Sequence, residues 1–232
     1  MLLAPRALKS LQIWEAARCT GSPVSRLIGQ REFFGLAFDI GPAVLDPRAD
    51  TETLVEAAIG VAPKTGRVLD LGTGSGCVLI SVLANVGGLQ GLGVDISAGA
   101  LRLARLNAHR LKVRGRIGLR HGSWFSPVCG QFDVIISNPP YIPRDTYEKL
   151  PKEVKNFEPK VALLGGEDGL KHIREIIHKA PLFLKENGWL ILENHFDQSE
   201  KVKQLLIKNK FTSIEIVKDL SGIGRFTMGR YK

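Results

Sequence analysis

Apolar positions along this chain alternate between two rhythms. Short β-rich runs at residues 67–71, 91–95, 116–120, 132–137 and 189–193 predict strands. Between them, segments with helical spacing at 76–85, 98–111, 169–184 and 198–209 predict helices. Residues 213–217 and 225–229 predict a terminal strand pair. Strand and helix in regular succession imply an α/β domain, with a mostly parallel sheet covered on both faces. Such sheets bind ligands outside the carboxyl ends of their strands, at the switch point of the strand order.

Upstream the pattern is weaker. Residues 8–17 have helical spacing, with Leu8, Leu11, Ile13 and Trp14 near one face, and the helix ends near Gly21-Ser22-Pro23. Residues 33–40 alternate poorly but are rich in β-formers, which predicts an extended strand or hairpin arm. Gly41-Pro42 and Pro47 punctuate a loop, and Asp50 is placed to cap a helix running to about Ile59. The organisation expected is therefore a helix over 1–22, a β arm or linker over 23–49, and the α/β domain over 50–232. A long loop containing Pro139-Pro140 separates the strand at 132–137 from the next helix.

Composition narrows the class. The chain has 232 residues, 44% hydrophobic and 24% charged, which suits one soluble domain plus a short extension. No apolar run approaches the roughly 18 residues of a membrane span, and the first residues hold too short an apolar stretch for a secretory signal. Glu15 and the helical pattern behind it count against a transit peptide. Cys19, Cys77 and Cys129 are scattered without a C-x-x-C pair, which reads as reduced thiols in a cytoplasmic protein, with no metal site. Two readings of Cys77 stay open: a thiol acidified by the helix N-terminus behind the glycine loop, or a small buried hydrophobe. The net charge of +9 favours anionic partners. Its densest stretch, Arg102, Arg105, Arg110, Lys112, Arg114, Arg116 and Arg120, is either a weak nucleic-acid contact or a solvated basic face.

Two segments carry the chemistry. Gly72-Thr73-Gly74-Ser75-Gly76 follows a predicted strand and opens a helix, so its glycines permit a tight turn and close approach of backbone to a ligand. Asp70 precedes it and is placed to face a cationic amino group, while Asp95 ends the next strand, where a carboxylate accepts from both hydroxyls of a ribose. That geometry serves dinucleotides and S-adenosylmethionine alike. The spacing lacks the third glycine of a pyrophosphate site, which tips the choice toward S-adenosylmethionine. Ser123-Trp124 follows the third strand, where the ring either covers an adenine or packs in the core. The second segment is Asn138-Pro139-Pro140-Tyr141, at the end of the fourth strand. It suits a conjugated amino group, whose delocalised lone pair makes it a poor nucleophile. The Asn138 side-chain oxygen and a backbone carbonyl fixed by proline accept its two protons, and the Tyr141 ring stacks on its plane. Orientation and polarisation do the work, without a strong base or a metal.

These residues resemble the protein-glutamine N5-methyltransferases that modify peptide-chain release factors, the HemK/PrmC family. The resemblance runs from about Pro23 to the C-terminus. It is carried by residues 23–35, 47–52 (Pro-Arg-Ala-Asp-Thr-Glu), 69–77, 93–97, 137–141 and 162–170. It implies a class I S-adenosylmethionine-dependent methyltransferase: a Rossmann-like, mostly parallel seven-stranded sheet with an antiparallel C-terminal strand, preceded by a short helix and a hairpin-like arm. It implies that Gly72, Thr73, Gly74, Ser75, Gly76, Asp95, Trp124 and Asn138 bind the donor, which leaves as S-adenosylhomocysteine. Asn138, Pro139, Pro140 and Tyr141 would hold the glutamine of a release factor's Gly-Gly-Gln loop, with Asn138, Pro139 and Tyr141 the catalytic set. A cytoplasmic, monomeric enzyme is implied.

Departures from the family pattern accompany the likeness. Only some 20 residues precede the matched region, where the family carries a helical domain that helps dock the release factor. Asp46 stands at a usually aliphatic position and Ala49 at a usual proline, and Glu193-Asn194-His195-Phe196-Asp197-Gln198 replaces a pattern like E-I-G-Y-D-Q. His195 reads as an exposed loop histidine, because the reaction needs no general base. Arg48, Asp50 and Glu52 read either as cleft residues or as a cap and salt bridge. Two other functions fit some of these features: a nucleic-acid adenine amino-methyltransferase, and an inactive relative that binds release factor without turnover.

Overall fold

The structure is a computed structural model and describes residues 5–219 and 221–232. Helix α1 (Pro5–Cys19) and the short α2 (Val24–Ile28) lead into a hairpin of β1 (Gln30–Phe33) and β2 (Leu36–Asp39). Of the four apolar side chains expected on one face of α1, Leu11, Ile13 and Trp14 stay exposed, and that of Leu8 lies outside the described side chains. The hairpin turns on Phe34 and Gly35, both at positive φ (52° and 69°), a two-residue geometry that follows the natural twist of paired strands. The arm expected over 33–40 is thus a hairpin that begins three residues earlier. It belongs to the core: Phe33 and Phe38 are fully buried, meet edge to face at 6.1 Å, and pack with Leu54, Val55 and Leu79.

A single 3-10 turn at Ala49–Thr51 precedes α3 (Glu52–Val61). Asp50 does not cap α3. It sits inside the 3-10 turn, 3.5 Å from Arg225, and the residue at the cap position is Thr51, in helical conformation and without a side-chain capping bond.

The remaining elements follow in order: β3 (Thr65–Leu71), α4 (Cys77–Asn85), β4 (Gly88–Asp95), α5 (Ala98–Arg110), β5 (Ile117–His121), β6 (Phe132–Ser137), α6 (Arg144–Glu148), α7 (Lys152–Phe157), α8 (Lys171–Lys179), β7 (Leu184–Glu193), α9 (Ser199–Lys208), β8 (Phe211–Lys218) and β9 (Gly224–Tyr231). The large sheet has seven strands in the order β5-β4-β3-β6-β7-β9-β8. Pairing is parallel from β5 through β7, and β9 runs antiparallel to both of its neighbours. The order reverses between β3 and β6, so the carboxyl ends of those two strands form the switch point. Val134, Ile135 and Ile136 of β6 are fully buried in succession, as a central parallel strand covered on both faces requires. One face packs under α3 and α4, the other under α8 and α9.

Two segments depart from expectation. The helix predicted over 169–184 stops at Lys179, because Pro181 cannot donate to the next turn; a 3-10 turn follows and β7 starts at Leu184. The long loop after β6 contains α6 and α7, each too short to leave a periodic signature. No helix among the described residues is long and apolar enough to cross a membrane.

Candidate active site

A cavity of about 190 Å³ opens where β3, β4 and β6 end. The glycine loop forms one wall. Gly72 and Thr73 N–H both donate to the Val94 carbonyl (2.8 and 3.0 Å), which pins the loop to the end of β4. Gly74 is in the left-handed region (φ 56°), and a Cβ there would meet nothing nearer than a loop carbonyl at 4.0 Å, so its open side faces the cavity. Gly76 is left-handed too, yet does not line the cavity. A Cβ would come within 2.8 Å of Ile80 and 3.3 Å of Ala104, so this glycine lets α4 pack against α5.

The carboxylates lie where the strand ends place them. Both Asp95 oxygens already accept backbone N–H groups, Oδ2 from Gly74 and Oδ1 from Ser97 (2.8 Å each), and the side chain borders the cavity with lone pairs to spare. Burial raises the Asp95 pKa, against the pull of those N–H groups. Asp70 is almost fully buried. Burial pushes its pKa up to about 7, although the Thr73 hydroxyl donates to it at 2.7 Å. A cation placed beside Asp70 would therefore ionise it. Ser75 Oγ is buried without a partner among the described residues, which leaves a polar atom for a ligand. Trp124, at φ 47°, closes the other side, its ring near Gly72 and tilted against His172 at 5.3 Å. A ligand that combines a cation, a diol and a flat heterocycle fits this set, as S-adenosylmethionine does. Cys77 borders the same cavity, and burial pushes its thiol up to about 12, opposite in direction to the shift an acidified thiol needs.

The opposite wall is the segment after β6. Ser137 Oγ donates to the Leu71 carbonyl (2.6 Å), locking the ends of β3 and β6 together. Asn138 and Pro140 line the cavity, and Pro139 and Tyr141 are not among its lining residues. The backbone beyond is clamped by the conspicuous 162–170 segment. Ile142 N–H donates to Leu163, Gly165 N–H returns a bond to Ile142, and Gln198 Nε2 donates to the Tyr141 carbonyl at 3.0 Å. The Tyr141 hydroxyl donates to Glu193 Oε1 (3.1 Å), and the Thr51 hydroxyl donates to Glu193 Oε2 (2.8 Å). Burial pushes Glu193 up to about 7 and raises the Tyr141 phenol.

The remaining motif residues divide between wall and scaffold. Arg48 does both: it borders the cavity and pairs with Glu158 at 2.9 Å. Buried Glu158 also takes Arg26 at 2.7 Å and the Asp46 N–H at 3.1 Å, tying the N-terminal arm to the loop after α7. Glu52 accepts the Phe34 N–H and so fixes the hairpin turn. Asp46 is buried and half-satisfied: Oδ2 receives the Ser25 hydroxyl at 2.6 Å, while Oδ1 has no hydrogen-bond partner among the described residues and lies 3.9 Å from Arg31. Asn194 is satisfied by Ser199, Thr227 and the His195 carbonyl. His195 is a partly exposed loop side chain bonded to Asp197. In the basic stretch Arg110 pairs with Asp39, and Arg116 caps the carbonyls of Leu83, Val86 and Leu89. Arg102, Arg105, Lys112, Arg114 and Arg120 are exposed. Sequence reasoning did not single out Thr51, Glu193, Glu158 or His172. Two of them carried a signal by their place in a family-like segment: Thr51 in Pro-Arg-Ala-Asp-Thr-Glu and Glu193 at the head of Glu-Asn-His-Phe-Asp-Gln.

Comparison with known proteins agrees with this geometry. Residues 43–152 match the family described as "Methyltransferase small domain". The release factor glutamine methyltransferase of Rhodospirillum rubrum is 43% identical over 230 residues, covering 99% of this chain and 71% of that protein. That of Neisseria gonorrhoeae is 44% identical over 217 residues, covering 92% and 78%. Among solved structures, a ribosomal protein L11 methylase from Lactobacillus delbrueckii subsp. bulgaricus superposes with a TM-score of 0.56 at 25% identity, covering 79% of this chain and 78% of that one. A methyltransferase from Pyrococcus furiosus reaches 0.64 at 17% identity over 97% and 98%, and shares the fold.

Proposed function

The chain belongs to the release factor glutamine methyltransferases, and we propose that its acceptor is the side-chain amide of the glutamine in a release factor's Gly-Gly-Gln loop. It is an S-adenosylmethionine-dependent protein-glutamine methyltransferase with the class I fold. The bound donor supplies an electrophilic methyl group on a sulfonium centre. In our reading Gly72, Thr73, Gly74, Ser75, Asp95, Trp124 and Asn138 hold it, with Gly76 shaping the turn behind them.

On the acceptor side, Asn138 Oδ1 and the Pro139 carbonyl take the two protons of the glutamine amide. That holds the NH2 plane so its lone pair faces the methyl. Pro140 keeps the turn rigid and the Tyr141 ring covers the amide face. The new N–C bond forms as the C–S bond breaks, and the nitrogen then gives one proton to solvent. No residue has to act as a strong base. A cytoplasmic monomer, with Arg102, Arg105 and Arg114 free for a weak polyanion contact, completes the proposal.

One observation carries it: residues 72–75 of the glycine loop line the same cavity as Asn138 and Pro140. Labelled methyl donor offered together with purified release factor, DNA and RNA tests it. Label should enter the release factor alone, on its glutamine. Label confined to nucleic acid overturns the reading, and donor binding without any transfer marks an inactive relative.

A further inference from the structure

Resting on that reading, we infer that Glu193, acting through Thr51, determines which end of the Asn138 carboxamide faces the acceptor. Glu193 ends β7 and Thr51 ends the 3-10 turn before α3, so the two meet only in the folded chain. Glu193 is 3% exposed and its oxygens are committed in opposite directions, Oε2 to the Thr51 hydroxyl at 2.8 Å and Oε1 to the Tyr141 hydroxyl at 3.1 Å.

Proton direction supplies the argument. Above about pH 7, where the buried Glu193 is ionised, its carboxylate only accepts, so Thr51 spends its single proton on it. What Thr51 then offers Asn138 is a lone pair. Asn138 answers with its amide: Nδ2 lies 3.5 Å from Thr51 Oγ1, a long contact of the kind that tightens when a site is filled. With Nδ2 held there, Oδ1 points away, free to accept from an acceptor's NH2. Reversing the carboxamide would aim a donor at those protons and abolish the polarisation. Glu193 also holds the Tyr141 hydroxyl, so one carboxylate orders both polar side chains of the motif. Asp50, Arg48 and Arg225 are the charged groups around this pair. Thr51 and Glu193 are positioning residues, since neither has to touch the substrate.

Selective ¹⁵N-asparagine labelling of the free protein gives a readout that does not depend on activity. The Asn138 side-chain amide, assigned by its loss in Asn138→Asp, should show one hydrogen-bonded proton. Thr51→Val, which keeps the shape, should move that signal to solvent-like values, and Thr51→Ser should restore it. An Asn138 signal unchanged in Thr51→Val overturns the inference, whether or not the protein methylates release factor. In turnover, Thr51→Val and Glu193→Gln should lower kcat on the order of 10- to 100-fold with donor KM nearly unchanged, and Thr51→Ser should retain most of kcat. Wild-type kcat in Thr51→Val, or equal losses in the Val and Ser variants, also overturns it. A wild-type protein inert toward release factor defeats the function proposed above, and the amide signal still decides this one. Should Glu193→Gln fail to fold, the Thr51 pair carries the test.

Discussion

The Gly74 amide donates to the Asp95 carboxylate at 2.8 Å, joining the glycine loop after β3 to the end of β4. With Ser97 on its other oxygen, Asp95 both shapes the loop and presents lone pairs to the cavity. Asp95→Ala therefore removes two charge-assisted bonds along with the ribose acceptor. Donor affinity, measured by calorimetry, should fall on the order of 100-fold, since each of the two ribose hydroxyl–carboxylate bonds contributes about 1.5 kcal/mol or more.

Asn138→Ala should separate binding from chemistry. The side chain is partly buried and, among the described residues, its one bond is the long contact to Thr51, so the melting temperature should hardly move. Turnover should drop at least about 100-fold, the loss typical of removing one polarising group. Near-normal kcat would show that Asn138 does not orient the acceptor.

Asp70 makes donor binding depend on pH. Its pKa is about 7 in the fold against 3.8 in an unfolded chain, so the free protein holds a proton there that the unfolded chain has released. The stability contributed is complete below 3.8 and gone above about 7, so the unliganded protein should lose stability as pH rises through that window. Affinity for a cationic donor should move the other way, rising as pH passes 7 and Asp70 ionises. Asp70→Asn should flatten the affinity profile and reduce the fall in stability; a wild-type profile in that variant would remove Asp70 from the site.

Glu158 is buried between two arginines of unequal exposure. Arg26 is 8% exposed and Arg48 is 48%. Glu158→Gln should cost about 3 kcal/mol in urea denaturation, because it leaves the buried Arg26 charge with only the Gly41 and Val44 carbonyls and no counter-ion. Arg48→Ala should cost under about 1 kcal/mol, as a half-exposed pair does, yet alter KM because Arg48 borders the cavity.

The sequence pattern suggested a linker-like arm over 23–49. We propose instead that the arm folds as one unit with the catalytic domain. Phe33→Ala should then destabilise the whole protein by about 3–5 kcal/mol in a single transition. An unchanged main transition would mean that the arm stands apart.

Legibility of this chain follows the range of the forces involved. The strands at β3 and β6 and the loop between β3 and α4 were readable because their patterns are local: consecutive apolar residues, a glycine where φ is positive, an acid at a strand end. The end of α8 departs from the apolar period because Pro181 overrides an otherwise helical run. Asp50 looked like a cap, but tertiary pairing with Arg225 and the 3-10 turn took precedence. Glu158 and His172 were silent, and Glu193 was visible only as the head of its segment, because each matters through partners distant in sequence. Glu193 meets Thr51 across 142 residues and Glu158 meets Arg26 across 132. No local period records such a meeting.

The most direct measurement is a crystal structure with S-adenosylhomocysteine and a Gly-Gly-Gln peptide bound together. The glutamine amide nitrogen should lie about 3 Å from both Asn138 Oδ1 and the Pro139 carbonyl, with its lone pair toward the donor sulfur. An amide nitrogen bonded to neither oxygen, or a glutamine seated outside the cavity walled by Gly74 and Pro140, would contradict the account.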